Sequence, residues 1–272
     1  MNDTGVAALV DTTRDELRER TAQALQRFDR VARTADPHAR PLRSNWTVQQ
    51  VVSHVLTLAR RYLRYAEGGY RLAAHPREVS VLNQTELEVA MAPIPELVEQ
   101  LQAVVPQLDE LFDEVAEEGR VLAFHCGALV DGITWQTNWL GELLLHGQDI
   151  ARAVKAPWVL AERDMLLIAR GLMQIGPAYV RTTLAPGTDI CAAVVIPDAR
   201  PYLIHIHDGV GEIRGCHRED RPDAVLRLPA STLTHLLYQR IGPFTAARKG
   251  LRVVGGRRPW LALKLQSCFE PA

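Results

Sequence analysis

Glu142, His146 and Asp149 follow one another at spacings of four and three residues in the stretch "NWLGELLLHGQDIARAVKAPW", residues 138–158. On a helix, side chains three or four positions apart share one face, about one turn from each other. A carboxylate and an imidazole placed that way can hold one ion between them. The pair by itself leaves three readings open: an exposed ion pair, a histidine satisfied inside the core, or two ligands of a metal site. Burying such groups costs free energy unless something pairs with them, so the face must meet either water or a partner.

His54 adds weight to the third reading. It lies in "NWTVQQVVSHVLTLARRYLRYAEGG", with Val51 and Leu58 as its three- and four-residue neighbours, on the apolar side of that segment. If the two segments face each other in a bundle, His54 meets Glu142 and His146 in the interior, as the metal sites of helical bundles are built. Two neutral imidazoles and a carboxylate suit a borderline divalent ion such as zinc, and three protein ligands leave a position open. Asp149, three residues past His146, is placed to hold the second nitrogen of a ligating imidazole. Trp135 and Trp139 fall on the stripe of Glu142, either as pocket walls or as core aromatics. Trp46, near a helix start, is expected to serve packing. His205 and His207 share a strand face, which is more often solvated than metal-binding.

These side chains need helices to carry them. Leu17, Ala24, Phe28 and Val31 line one side of residues 11–34. Residues 45–69 restart with Thr47 and Gln50 in capping-box positions. Residues 95–119 repeat leucine and valine at helical spacing, and Pro106 predicts a kink or break there. The stretch from about Thr134 to Lys155 is the fourth. Four amphipathic segments predict a four-helix bundle, and a fifth helical stretch, residues 161–183, closes it or leads onward. From about residue 190 the texture changes to short β-branched runs bounded by Pro and Gly: "DICAAVVIP", "RPYLIHIHDG", "AVLRLPA" and "LRVVGG". Between them lies a helix expected to be capped by Ser231. A last helix is expected with Pro259 in its first turn. The predicted fold class is therefore α plus α+β, with a helical bundle over residues 1–185 and a small α+β domain over 186–272.

Composition sets limits on function. The 272 residues are 47% hydrophobic and 23% charged, with a net charge of −1, so no nucleic-acid or membrane partner is expected from charge. The basic run "AARKGLRVVGGRRP" fits a small anionic ligand or plain solvation. The four cysteines, Cys126, Cys191, Cys216 and Cys268, form no C-x-x-C pair. With no secretory signal and no apolar run near the ~20 residues that span a bilayer, a reduced, cytoplasmic protein is expected. Motifs of zinc proteases, of serine hydrolases with a nucleophile elbow and of P-loop enzymes are missing.

The segment "NWTVQQVVSHVLTLARRY" resembles the W-[ST]-V-x-x-V-x-x-H-[LV] signature of mycothiol-dependent maleylpyruvate isomerase-like proteins, which belong to the DinB-like metal-binding bundles. "GELLLHGQDIARAVKAPW" is similar to their second signature, E-x-x-x-H-G-x-D-[IL]-A-x-A followed by a Gly and a Pro, with Lys155 where that Gly commonly stands. The tail, "DAVLRLPASTLTHLLYQR…AARKGLRVVGGRRPW", is similar to the sterol-carrier-like domain that often follows the bundle. The resemblance implies a zinc site at His54, Glu142 and His146, a low-molecular-weight thiol such as mycothiol as cofactor, and a small-molecule substrate. It also implies an arginine from the second domain at the substrate, for which Arg240, Arg248 and Arg252 are the candidates. The activity implied is addition of the thiol to an electrophilic unsaturated substrate, as in cis–trans isomerisation of maleylpyruvate. The alternatives are a thiol S-transferase or a secondary-metabolite tailoring enzyme on the same scaffold, or a non-catalytic protein that binds a metal or an apolar ligand.

Overall fold

The computed structural model describes residues 9–41, 45–68, 70–117 and 119–270. They fall into two compact units, one of residues 13–121 and 131–160, the other of residues 9–12, 122–130 and 161–270.

The first unit is helical. Its long helices are α1 (Arg14–Arg33), α2 (Val48–Ala66), α4 (Ile94–Glu117) and α5 (Gly132–Ala153), with the shorter α3 (Pro76–Val89) beside them. Helix α1 starts where the Thr13 side chain accepts the Glu16 N–H, and it buries Leu17, Ala24, Phe28 and Val31, the stripe expected from spacing. Helix α2 starts at a complete capping box: Thr47 accepts the Gln50 N–H, and the Gln50 side chain accepts the Thr47 N–H. Such a box fixes the first turn, and with it the phase at which His54 enters the interior. Helix α5 starts at Asp131, whose carboxylate accepts the Thr134 N–H at 2.7 Å. It runs two residues earlier at each end than the sequence predicts. Helix α4 continues through Pro106 without a break. Tertiary packing of Leu101, Leu108, Leu111 and Phe112, all buried, outweighs the local penalty of the proline.

In the second unit a five-stranded sheet has the order β5-β4-β3-β6-β7. Its strands are β3 (Asp189–Val195), β4 (Tyr202–His207), β5 (Val210–Gly215), β6 (Ala224–Arg227) and β7 (Arg252–Gly255). The short pair β1 (Val121–Ala123) and β2 (Leu129–Asp131) is separate from it. Strands β3 and β6 run parallel, and the other neighbours are antiparallel. The β4–β5 turn passes through Asp208 and Gly209, both at positive φ (47° and 81°), as a tight hairpin requires. Helices α6 (Glu162–Ile175), α7 (Ala230–Leu237), α8 (Pro243–Arg248) and α9 (Ala262–Leu265) complete this unit.

Helix α6 belongs to the compact unit that holds the sheet. The reason lies in its bonds: Thr234 donates to the Met165 carbonyl at 3.0 Å, and Ser231 binds the Glu162 carboxylate through its hydroxyl and its N–H. Ser231 is thereby drawn away from capping α7, whose N-cap is Pro229. The last predicted helix is the short α9 between two 3-10 turns, with Pro259 opening the first of them.

Candidate metal centre

Helices α2 and α5 run antiparallel. His54 meets Glu142 and His146, while two turns further along α2 Tyr62 meets Asn138, which donates to its hydroxyl at 2.7 Å, and Trp135. This crossing brings together three side chains from two distant parts of the sequence. His54 Nε2 stands 3.8 Å and His146 Nε2 3.1 Å from Glu142 Oε2. One ligand atom from each of the three lies within 4.8 Å of the others, and among the described residues this is the one group of three such side chains so gathered. Two donors bound to one tetrahedral zinc at about 2.1 Å lie about 3.4 Å apart, and the observed separations bracket that value.

His54 is 3% exposed, yet its Nδ1 has no hydrogen-bond partner, and neither does the Nδ1 of His146. The 3.8 Å gap between His54 and Glu142 is too long for a hydrogen bond. The two Nε2 atoms and the Glu142 carboxylate instead form a donor set that fits a divalent cation held between them.

Burial pushes the His54 pKa down to about 4, against the attraction of Glu142, so its ring is neutral near pH 7 with a lone pair to give. Burial also opposes the charge on Glu142, but the two imidazoles outweigh it and hold the carboxyl below its usual range. Burial disfavours a charged His146 as well. Asp149 and Glu142 overcome it and raise that pKa to about 9. Asp149 acts at ion-pair range, its Oδ2 3.7 Å from His146 Nδ1.

Trp46 is the part that sequence reasoning did not assign to the site. Its ring centroid is 4.7 Å from that of His54 and 6.4 Å from that of His146, and its Nε1 donates to Gln84 Oε1 on α3 at 2.7 Å. The eight-residue distance from Trp46 to His54 gives no helical spacing to read, because the tryptophan precedes the cap. Trp135 and Trp139 are each 1% exposed, as core aromatics are.

The remaining candidates lie in the sheet unit. Arg240 follows α7, Arg248 ends α8, and Arg252 opens β7 with its guanidinium donating to the Ala247 and Leu251 carbonyls. His205 faces Asp189 at 2.9 Å on the neighbouring strand, which accounts for it without a metal.

A helical bundle that gathers two imidazoles and a carboxylate between facing helices, followed along the chain by a sheet-bearing unit, defines a mixed α/β protein with a His–Glu–His cluster in its helical part. Residues 18–151 match the family described as the mycothiol maleylpyruvate isomerase N-terminal domain. Among solved structures the chain is similar to the mycothiol-dependent maleylpyruvate isomerase, at 14% identity over 90% of this chain and 95% of that one, with a TM-score of 0.54. A histidine-to-alanine mutant of that isomerase matches at 13% identity, with the same coverage and TM-score. At these identities the likeness concerns the fold. No curated protein matches the chain. Residues 18–151 therefore carry a domain of the mycothiol maleylpyruvate isomerase N-terminal type.

Proposed function

We propose that this protein is a zinc-dependent enzyme that uses a low-molecular-weight thiol of the mycothiol type on a small electrophilic, unsaturated substrate, as in cis–trans isomerisation of maleylpyruvate. The observation that carries the reading is the convergence of His54, Glu142 and His146, with one ligand atom from each within 4.8 Å of the others. Zinc held by His54, Glu142 and His146 would supply a Lewis acid, beside which a thiol would ionise near neutral pH.

The chain's own residues supply the rest. His54 presents a neutral ring, Glu142 stays ionised and balances positive charge, and Asp149 orients His146. Trp46 walls the two imidazoles off on one side. The thiolate sulfur forms a bond to one carbon of a cis double bond conjugated to a carbonyl, and the π pair moves onto the carbonyl oxygen. Rotation about the resulting single bond and expulsion of the thiolate return the trans isomer and the thiol, so atoms and electrons balance. An arginine among Arg240, Arg248 and Arg252 is proposed to hold a substrate carboxylate. The test is to incubate the zinc-loaded protein with maleylpyruvate, with and without mycothiol, and follow the isomer ratio. Conversion only with thiol is expected; no conversion in either arm defeats the isomerase reading. A thiol-consuming adduct that accumulates instead identifies a transferase.

A second reading is favoured by one observation in the sheet unit. An apolar cavity lies between the sheet and α7–α9, lined by Val194, Ile204, Leu226, Leu233, Leu265 and Phe269. A protein that binds an apolar ligand there needs no catalysis, and a fourth protein ligand closing the zinc would support that alternative.

A further inference from the structure

The chain leaves α5 through Lys155, which sits at φ 57° in the left-handed region where the family signature has glycine, and turns back along the helix. Three residues later the Trp158 indole lies against Gly147, the residue directly after His146. A Cβ added at Gly147 would come within 2.3 Å of two indole ring carbons, so the ring occupies the space of a side chain. The indole Nε1 donates to the Leu144 carbonyl at 3.1 Å, within the turn between Glu142 and His146. Arg27 of α1 covers the outer side of the indole, its guanidinium 4.3 Å from the ring centroid, and donates to the Val159 carbonyl at 2.6 Å. At 3.6 residues per turn, Leu144 and Gly147 lie toward the side of α5 away from Glu142 and His146.

We propose that Trp158 is a positioning residue: braced by Arg27, it bears on the back of α5 through Gly147 and the Leu144 carbonyl and sets the turn that presents Glu142 and His146 to a divalent cation. This rests on the metal reading of the triad. Ligand distances tolerate only about 0.2 Å of error, whereas a methyl group on Gly147 would force the indole or the helix to move by much more. The space for the ring exists because position 147 has no side chain. The defect in a Gly147→Ala protein should therefore lie in the contact with Trp158.

The test uses the full chain and zinc alone, with Co(II) as a spectroscopic stand-in. Zinc affinity is measured by chelator competition, Co(II) coordination by its visible absorption, and folding by circular dichroism and Tm. Gly147→Ala should weaken zinc by about 10- to 100-fold, the range typical of lost supporting contacts, and alter the Co(II) spectrum. Trp158→Ala, which leaves Gly147 untouched, should weaken zinc at least as much as Trp158→Phe, because both the ring and its N–H donor are lost. If Gly147→Ala fails to fold, Trp158→Phe carries the test: it keeps a ring, loses the N–H donor, and should weaken zinc severalfold. Wild-type affinity and spectrum in Gly147→Ala, or in Trp158→Phe where that variant must serve, overturn the proposal, as does wild-type affinity in Trp158→Ala. A wild-type chain that binds no zinc overturns the metal reading itself, a result distinct from any of these.

Discussion

Two carboxylates, one in each unit, are treated in opposite ways. Asp223, in the sheet unit, is fully buried and fully paired. Arg258 grips both its oxygens at 2.7 and 2.8 Å, Arg257 adds a contact at 3.1 Å, and the Cys191 N–H donates to it at 3.1 Å. The Arg258 guanidinium holds its pKa below the usual carboxylate range. Glu142, in the helical unit, faces the two imidazoles of His54 and His146. Arginine keeps its charge at every accessible pH and has no lone pair to donate. A carboxylate clamped by arginines is therefore finished as structure, while one set among imidazoles can exchange protons for a cation.

The largest effect expected from this contrast is at the triad. His54→Ala or Glu142→Ala should reduce bound zinc to background by elemental analysis, and thiol-dependent turnover with it. Full metal content in either variant would erase the difference between the two carboxylates. Next in size is the dependence on pH. His146, raised to about 9 without metal, must lose a proton to ligate, so protons compete with zinc throughout the range below that value. Apparent zinc affinity should rise with pH, by about tenfold per unit, or about 100-fold from pH 6 to pH 8, when measured by competition in buffers that do not bind zinc. A flat profile would mean that His146 is not a ligand. Asp149→Asn should lower zinc affinity by about tenfold and shift that profile to lower pH, because a neutral amide no longer favours the imidazolium. The smallest effect on metal belongs to the other carboxylate. Asp223→Ala should leave zinc stoichiometry unchanged while lowering stability by about 2 kcal/mol in urea unfolding, since the Cys191 N–H and two guanidinium groups lose their acceptor.

The triad was legible in the sequence because each of its parts obeys a short-range rule. Glu142 and His146 are one turn apart, and His54 shares a helix face with apolar residues at three and four positions. The capping box at Thr47 was equally plain. Helix α3 was not, because Val79, Val81, Leu82, Leu87 and Val89 are spread around it and only Leu87 is buried, so its spacing carries no stripe. The assignment of α6 to the sheet unit depends on bonds between residues 162–165 and 231–234, and no local pattern records such pairings. Trp46 and Trp158 act from outside the regular part of their helices. Their contacts with His54 and Gly147 come from the path of the chain around a helix end.

The antiparallel crossing of α2 and α5 has a consequence for assembly of the polypeptide. A cation shared by His54 and Glu142 is a reversible cross-link between segments far apart in the chain, closing a long loop that includes α3 and α4. Loop closure is the entropic cost of such long-range contacts, and a ligand that binds only the closed form shifts the equilibrium towards it. Chelation should therefore lower the melting temperature of the protein as well as silence it.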